Sequence, residues 1–148
     1  MNNGLYSGMK YQNGGRMKQK KTFQELNLND NFLFAAVMQN PETCKDVLEL
    51  VLQIKIEKVT VTTEKMIVYN PNHRGIRMDV FAADENHTVY NVEMQTANEG
   101  NLPKRSRFYQ GQIDVAQLKP GEDFNKLHKS FVIFICTFDP FGYGRYYY

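Results

Sequence analysis

The sequence predicts an α/β fold, a mixed sheet with helices packed on its faces. Three observations carry that expectation. The chain has 148 residues, 42% of them apolar and 23% charged, which suits one domain with a real core. Its hydrophobic period changes from helical spacing to strand alternation at Ile54. A further helical stretch then separates a predicted hairpin from a last apolar run, so the chain crosses over a sheet before adding its final strand.

The elements follow in order. Residues 1–21 hold five basic side chains (Lys10, Arg16, Lys18, Lys20, Lys21) and no acid. The remaining 127 residues carry 13 basic and 16 acidic groups, so a +5 arm precedes a −3 body. We divide the chain into a basic, Asn- and Gly-rich arm at 1–21, expected to be unstructured although able to touch phosphates, and a domain at 22–148. Asp30 is a candidate helix cap, at or beside the start of the apolar run Phe32 to Met38. Asn40-Pro41 interrupts that helix, because proline disfavours helical backbone in the residue before it, and Pro41 then opens a second helix. Cys44, Val47, Leu48, Val51 and Leu52 share one face of the second helix.

Two short strands are predicted next, at Ile54 to Val61 and at Met66 to Tyr69, followed by a turn at Asn70 to Gly75. Strands at 76–83 and 88–95 form a hairpin around Asp84-Glu85-Asn86-His87. A helix runs from Pro103 to about Leu118 and stops at Pro120-Gly121. The run Phe131 to Cys136 reads as a buried strand, central rather than at an edge. The final Phe141 to Tyr148 resembles the beginning of another strand, and the chain is expected to stop before its fold does.

Several classes are excluded or disfavoured. The six-residue run Phe131 to Cys136 is far short of the ~20 residues needed to span a bilayer. No basic-then-apolar leader supports secretion, and Cys44 and Cys136 lack the spacing of a zinc site, so both read as free thiols in the cytoplasm. His73, His87 and His128 fall in turns or loops and read as surface, Glu49 reads as a solvated helix residue, and Asp139-Pro140 ends the last strand.

The chemistry lies in the hairpin. One face carries Met78, Val80 and Ala82 with Tyr90, Val92 and Met94, and this face is core. The other carries Arg77, Asp79 and Phe81 with Val89, Asn91, Glu93 and Gln95. A three-residue connection at 85–87 sets Asp79 directly opposite Glu93. Two carboxylates so close repel unless a cation lies between them, and Mg²⁺ suits one or two carboxylates with retained waters. A solvated polar hairpin presents the same residues, and on the acids alone that reading is favoured. Flanking helices that cover the face, and the cations of Pro103-Lys-Arg-Ser-Arg107 at a helix start, point instead to metal beside phosphate.

Four segments, Gly75-Ile-Arg-Met-Asp-Val80, Tyr90-Asn-Val-Glu-Met-Gln95, Leu102-Pro-Lys-Arg-Ser-Arg-Phe-Tyr109 and Phe131 to Phe141, together resemble the PD-(D/E)XK nuclease family transposases, relatives of the recombination-promoting nucleases. The resemblance covers about residues 28–148 and implies a restriction-endonuclease-like αβββαβ core. It further implies a Mg²⁺-dependent (or Mn²⁺-dependent) DNA endonuclease, with Asp79, Glu93 and the Met94 carbonyl as metal ligands. Asp79, Glu93 and Gln95 then form the catalytic set, Gln95 standing where the wider superfamily has lysine. Arg105, Arg107, Tyr109 and Gln112 are candidates for DNA phosphate, with Arg105 nearest the scissile group and Tyr109 equally readable as packing. DNA is the implied partner. Two-strand cutting commonly uses a dimer, so a homodimer is a further candidate arrangement. The alternative is an inactive nuclease-fold fragment that binds DNA or protein. The intact Asp79, Glu93 and Gln95 favour competence of the parent protein.

Overall fold

A computed structural model describes residues 31–68, 72 and 74–148. The arm at 1–21 and Asp30, His73 and Tyr69 lie outside the described residues. Helices α1 (Asn31–Met38) and α2 (Pro41–Leu52) precede strands β1 (Val59–Ile67), β2 (Ile76–Asp84) and β3 (Val89–Gln95). Helix α3 (Leu102–Gln117) and a short 3₁₀ turn (Phe124–Lys126) lead to strand β4 (Ser130–Cys136). The four strands form one mixed sheet in the order β1-β2-β3-β4, antiparallel except for the parallel β3–β4 pair.

The break between α1 and α2 is chemical. The Asn40 side chain accepts the Glu42 and Thr43 N–H groups at 3.0 and 3.1 Å, while Pro41 occupies the first turn, where a missing donor is harmless. Cys44 and Leu48 of α2 and Phe34 and Met38 of α1 are buried against Val80, Ala82, Tyr90, Val92 and Met94. On the other face, Tyr109 and Ile113 of α3 pack with Ile76, Met78 and Val89. Burial of the thiol raises the Cys44 pKa to about 11, and both cysteines are free.

Four expectations need correction. Phe141 to Tyr148 forms bends and no further strand. Residues 54–58 are not a strand, and the first β element is the single nine-residue β1. Gln53 turns the chain in the left-handed region (φ 53°), and the Glu49 carboxylate takes the Ile56 N–H at 2.8 Å, so this linker is held by side chains rather than by a ladder. Glu49 is therefore a loop anchor, also paired to Lys55 at 3.3 Å, and not a solvated helix residue. Finally, β4 lies at the sheet edge and every residue in it is half-buried. Phe131, Ile133 and Ile135 face the α1–α2 cluster and Val132 faces the α3 cluster. Coverage on two faces makes a strand apolar throughout, whichever position it takes in the sheet.

The β2–β3 turn holds the register. Asp84 accepts the Asn86 and Thr88 N–H groups at 2.9 and 2.8 Å and the Tyr90 hydroxyl at 2.8 Å, around a left-handed His87 (φ 61°). Partial burial raises the Asp84 pKa, but the bonds from Tyr90, Thr88 and Asn86 outweigh it and hold the carboxyl below its ordinary range. A depressed carboxylate pKa contributes stability above the unfolded value of about 3.9 that is lost as pH falls through the folded value. Asp84→Ala should therefore cost about 1–3 kcal/mol at pH 7, with the difference narrowing below about pH 4, as read by urea unfolding at both pH values.

Candidate active site

The antiparallel ladder between β2 and β3 runs from Ala83↔Val89 to Val80↔Val92 and stops there. Asp79 and Glu93 are the next opposed positions in that register, as the hairpin geometry predicts. Instead of a backbone pair, two side chains cross the gap. Glu93 Oε1 accepts the Asp79 N–H at 3.1 Å, and Asp79 Oδ2 accepts the Met94 N–H at 3.2 Å. Each carboxylate thus satisfies a main-chain donor of the opposite strand, the Met94 N–H released by the opened β2–β3 ladder and the Asp79 N–H released by a gap in the β1–β2 ladder.

The other edge of Asp79 is also released. The β1–β2 ladder passes from Thr63↔Val80 to Lys65↔Met78 without a Glu64–Asp79 pair, and Glu64 has φ 55°. The packing changes side at this point. Val80 and Ala82 belong with α1 and α2, whereas Met78 and Ile76, at the same parity, belong with Tyr109 and Ile113 of α3. The single core face expected for Met78, Val80 and Ala82 is therefore divided, with the switch at Asp79. Val59 and Val61 likewise belong with α1 and α2 and Ile67 with α3, so both strands change sides here, which side-chain parity alone does not anticipate.

Glu93 is 1% exposed, and burial followed by the Asp79 charge pushes its pKa up to about 7 despite the Asp79 N–H and Arg105. Asp79 is raised as well, by burial, against the Met94 N–H and the charges of Arg105 and Arg77. Arg105 reaches from α3 into this acid pair. Its Nη2 lies 3.0 Å from Glu93 Oε2 and its Nη1 donates to Gln95 Oε1 at 2.7 Å. Gln95 Nε2 donates to the Ala97 carbonyl at 2.7 Å, which fixes the direction of its amide. The Tyr109 hydroxyl accepts from Arg105 at 3.3 Å and donates to the Arg77 carbonyl at 3.4 Å.

These groups line a cleft of about 300 Å³ walled by Arg77, Asp79, Glu93, Met94, Gln95, Thr96, Ala97, Glu99 and Arg105. Among the described residues no group of three or more His, Cys, Asp or Glu side chains gathers around one point. Two carboxylates without cysteine or histidine fit a hard, partly hydrated cation better than zinc.

The structure brings Asp79, Glu93, Met94, Gln95, Arg105 and Tyr109 together, but not every predicted phosphate residue. Arg107 is exposed and stands two residues from Arg105, on the far side of α3. Gln112 is half-buried, further along the helix, and does not line the cleft. Arg77 and Glu99 do line it and had no role assigned from sequence; Arg77 shares the predicted site face, whereas Glu99 has no signal beyond following the hairpin. Asn91 is fully buried two residues before Glu93 on the same strand, close enough to help hold that carboxylate in its charged form. His87 and His128 are exposed, as expected, yet their rings lie 5.2 Å apart, outside the cleft.

A carboxyl group whose pKa is raised by folding destabilises the native state as pH climbs from the unfolded value, about 4.3, through the folded one. In metal-free buffer, Glu93→Gln should be more stable than the parent by on the order of 1–3 kcal/mol at pH 8 and lose that advantage near pH 4. Thermal melts across that range measure the crossover.

No curated protein and no solved structure gives a significant match to this sequence. A protein-family model does match, over residues 31–143 of the 148, and it spans both acids, the opened hairpin, α3 and β4. The four-stranded mixed sheet with its three helices has the architecture expected for that family, and the chain belongs to the PD-(D/E)XK nuclease family transposases.

Proposed function

We propose that this chain is a metal-dependent DNA endonuclease that hydrolyses phosphodiester bonds in transposition or recombination. The observation that carries the reading is the opened hairpin, where a buried Glu93 and Asp79 face one cleft beside Arg105. Asp79, Glu93 and the main-chain carbonyl of Met94 are the proposed metal ligands. Met94 turns its N–H to Asp79, and in an extended strand the carbonyl of the same residue lies along the same edge. A bound Mg²⁺ or Mn²⁺ supplies Lewis-acid polarisation of the phosphate and a water of lowered pKa.

The remaining roles belong to this chain's side chains. Asp79 and Glu93 hold negative charge at the bottom of the cleft. Gln95 is neutral and serves by hydrogen bonding, orienting groups between Arg105 and the Ala97 carbonyl. Arg105 keeps its charge at any working pH and is the cation suited to the developing charge on phosphate. Tyr109 positions Arg105 through its hydroxyl and ring, whose centroid lies 5.2 Å from the guanidinium carbon. No helix among the described residues is long and apolar enough to cross a membrane. The proposed setting is cytoplasmic, with a second copy supplying the second site for two-strand cuts.

Supercoiled-plasmid cleavage in Mg²⁺ or Mn²⁺ tests the reading. The parent chain should nick the plasmid, EDTA should stop it, and Asp79→Asn or Glu93→Gln should reduce the rate at least about 100-fold through loss of the metal contribution. Equal cleavage by all three proteins would remove the support for these ligands. A folded chain that retains DNA without cutting it would move the assignment to a binding module.

A further inference from the structure

Arg105 is the cation already seated in this site. Its guanidinium bridges Glu93 Oε2 at 3.0 Å and Gln95 Oε1 at 2.7 Å, and its carbon lies 5.2 Å from the ring centroids of both Tyr109 and Phe134. The other oxygen of Glu93 is taken by the Asp79 N–H. Each oxygen of Glu93 thus already has one partner, and with its side chain 2% exposed a further partner must crowd or displace one of them. A divalent ion shared by Asp79 and Glu93 needs one of those oxygens, and the one held by Arg105 is the one not committed to the backbone. That ion would also bring two positive charges beside the guanidinium in a site shielded from water, where repulsion is strong. The ion and Arg105 are rivals for Glu93.

Once displaced, Arg105 keeps hydrogen bonds only to the neutral Gln95 and Tyr109, with the Glu99 carboxylate acting on it from across the cleft without a hydrogen bond. A phosphate at the mouth of the cleft offers the fork-on-oxygen geometry that a guanidinium prefers. Resting on the nuclease reading of this site, we propose that Arg105 is an internal counter-ion that closes the metal site in the free protein and passes to a DNA phosphate when a divalent ion takes Glu93. Metal and DNA then tighten each other by the same factor, since coupling between two ligands is reciprocal. The arrangement ties the charged site to the presence of substrate.

Calorimetric titration of the full chain with Mn²⁺, alone and with a short cleavage-resistant phosphorothioate duplex, tests the exchange. Arg105→Met keeps a flexible stem over the two rings and removes the charge; Arg105→Lys keeps the charge and removes the fork. Without DNA, Arg105→Met should bind Mn²⁺ about tenfold more tightly than the parent, with Arg105→Lys between them. The duplex should tighten Mn²⁺ binding about tenfold in the parent and less than about threefold in Arg105→Met. Equal or weaker Mn²⁺ binding by a folded Arg105→Met overturns the exchange and leaves the nuclease reading standing. If Arg105→Met does not fold, equal affinity of Arg105→Lys and the parent overturns it. Absence of Mn²⁺ binding in every protein, or binding unchanged by Asp79→Asn with Glu93→Gln, overturns both the exchange and the metal site beneath it.

Discussion

The structure turns on one local constraint, the mutual capping of two strands by two carboxylates. A β2–β3 ladder that continued past Val80↔Val92 would bond Met94 to Met78 and leave the side chains of Asp79 and Glu93 to crowd each other at a non-hydrogen-bonded position. The gaps in the ladders on the two sides of Asp79 release the Met94 and Asp79 N–H groups, and each acid supplies the acceptor for the donor across from it. The acids are thereby held in place by main chain, Glu93 on a strand whose seven residues are all buried and Asp79 on its half-buried neighbour. Side chains locked in this way keep their geometry better than side chains carried on a loop. The Asp84 turn then matters for the site, since a one-residue slip of β3 would send Glu93 to the opposite face.

Charge balance explains why the helix after the hairpin packs where it does. Two acids share a buried cleft, and Arg105 alone is insufficient to return Glu93 to its ordinary range, since its pKa stays near 7. A buried ion pair recovers only part of what desolvation takes away, so this site is a weak point of the fold and a strong point for a cation. Stability set aside at one place for function is common in enzymes. The remainder of the chain compensates with well-buried packing on both sheet faces, Cys44 and Leu48 beneath the hairpin and Ile113 and Tyr109 above it.

Much of this was legible because the informative residues are close in sequence. A short hairpin couples register to loop length, so the opposition of Asp79 and Glu93 follows from counting, and the Asn40-Pro41 break follows from backbone sterics. The less legible features depend on long-range packing. Phe131 to Cys136 reports that both of its faces are covered and says nothing of its neighbours, which is why an edge strand reads as a central one. Glu64 in the left-handed region has no sequence signature, since glutamate is not a residue that favours that backbone. Arg105 and Arg107 look alike as phosphate contacts. Only the rotation of α3 against β3 separates the one that meets Glu93 from the one that meets solvent.

The same rotation gives a physical account of Gln95. A lysine there would place an ammonium two residues beyond Glu93 and against the guanidinium of Arg105. The neutral amide removes that repulsion and adds a directed acceptor, because its nitrogen is committed to the Ala97 carbonyl and its oxygen is left for Arg105. The positive charge of the cleft that meets Glu93 sits on the helix. On a helix it is carried by a side chain with a longer reach and a bidentate fork, able to change partners between a carboxylate and a phosphate. Gln95 and Arg105 are therefore one hydrogen-bonded unit of the cleft, the amide fitting the guanidinium in both charge and direction.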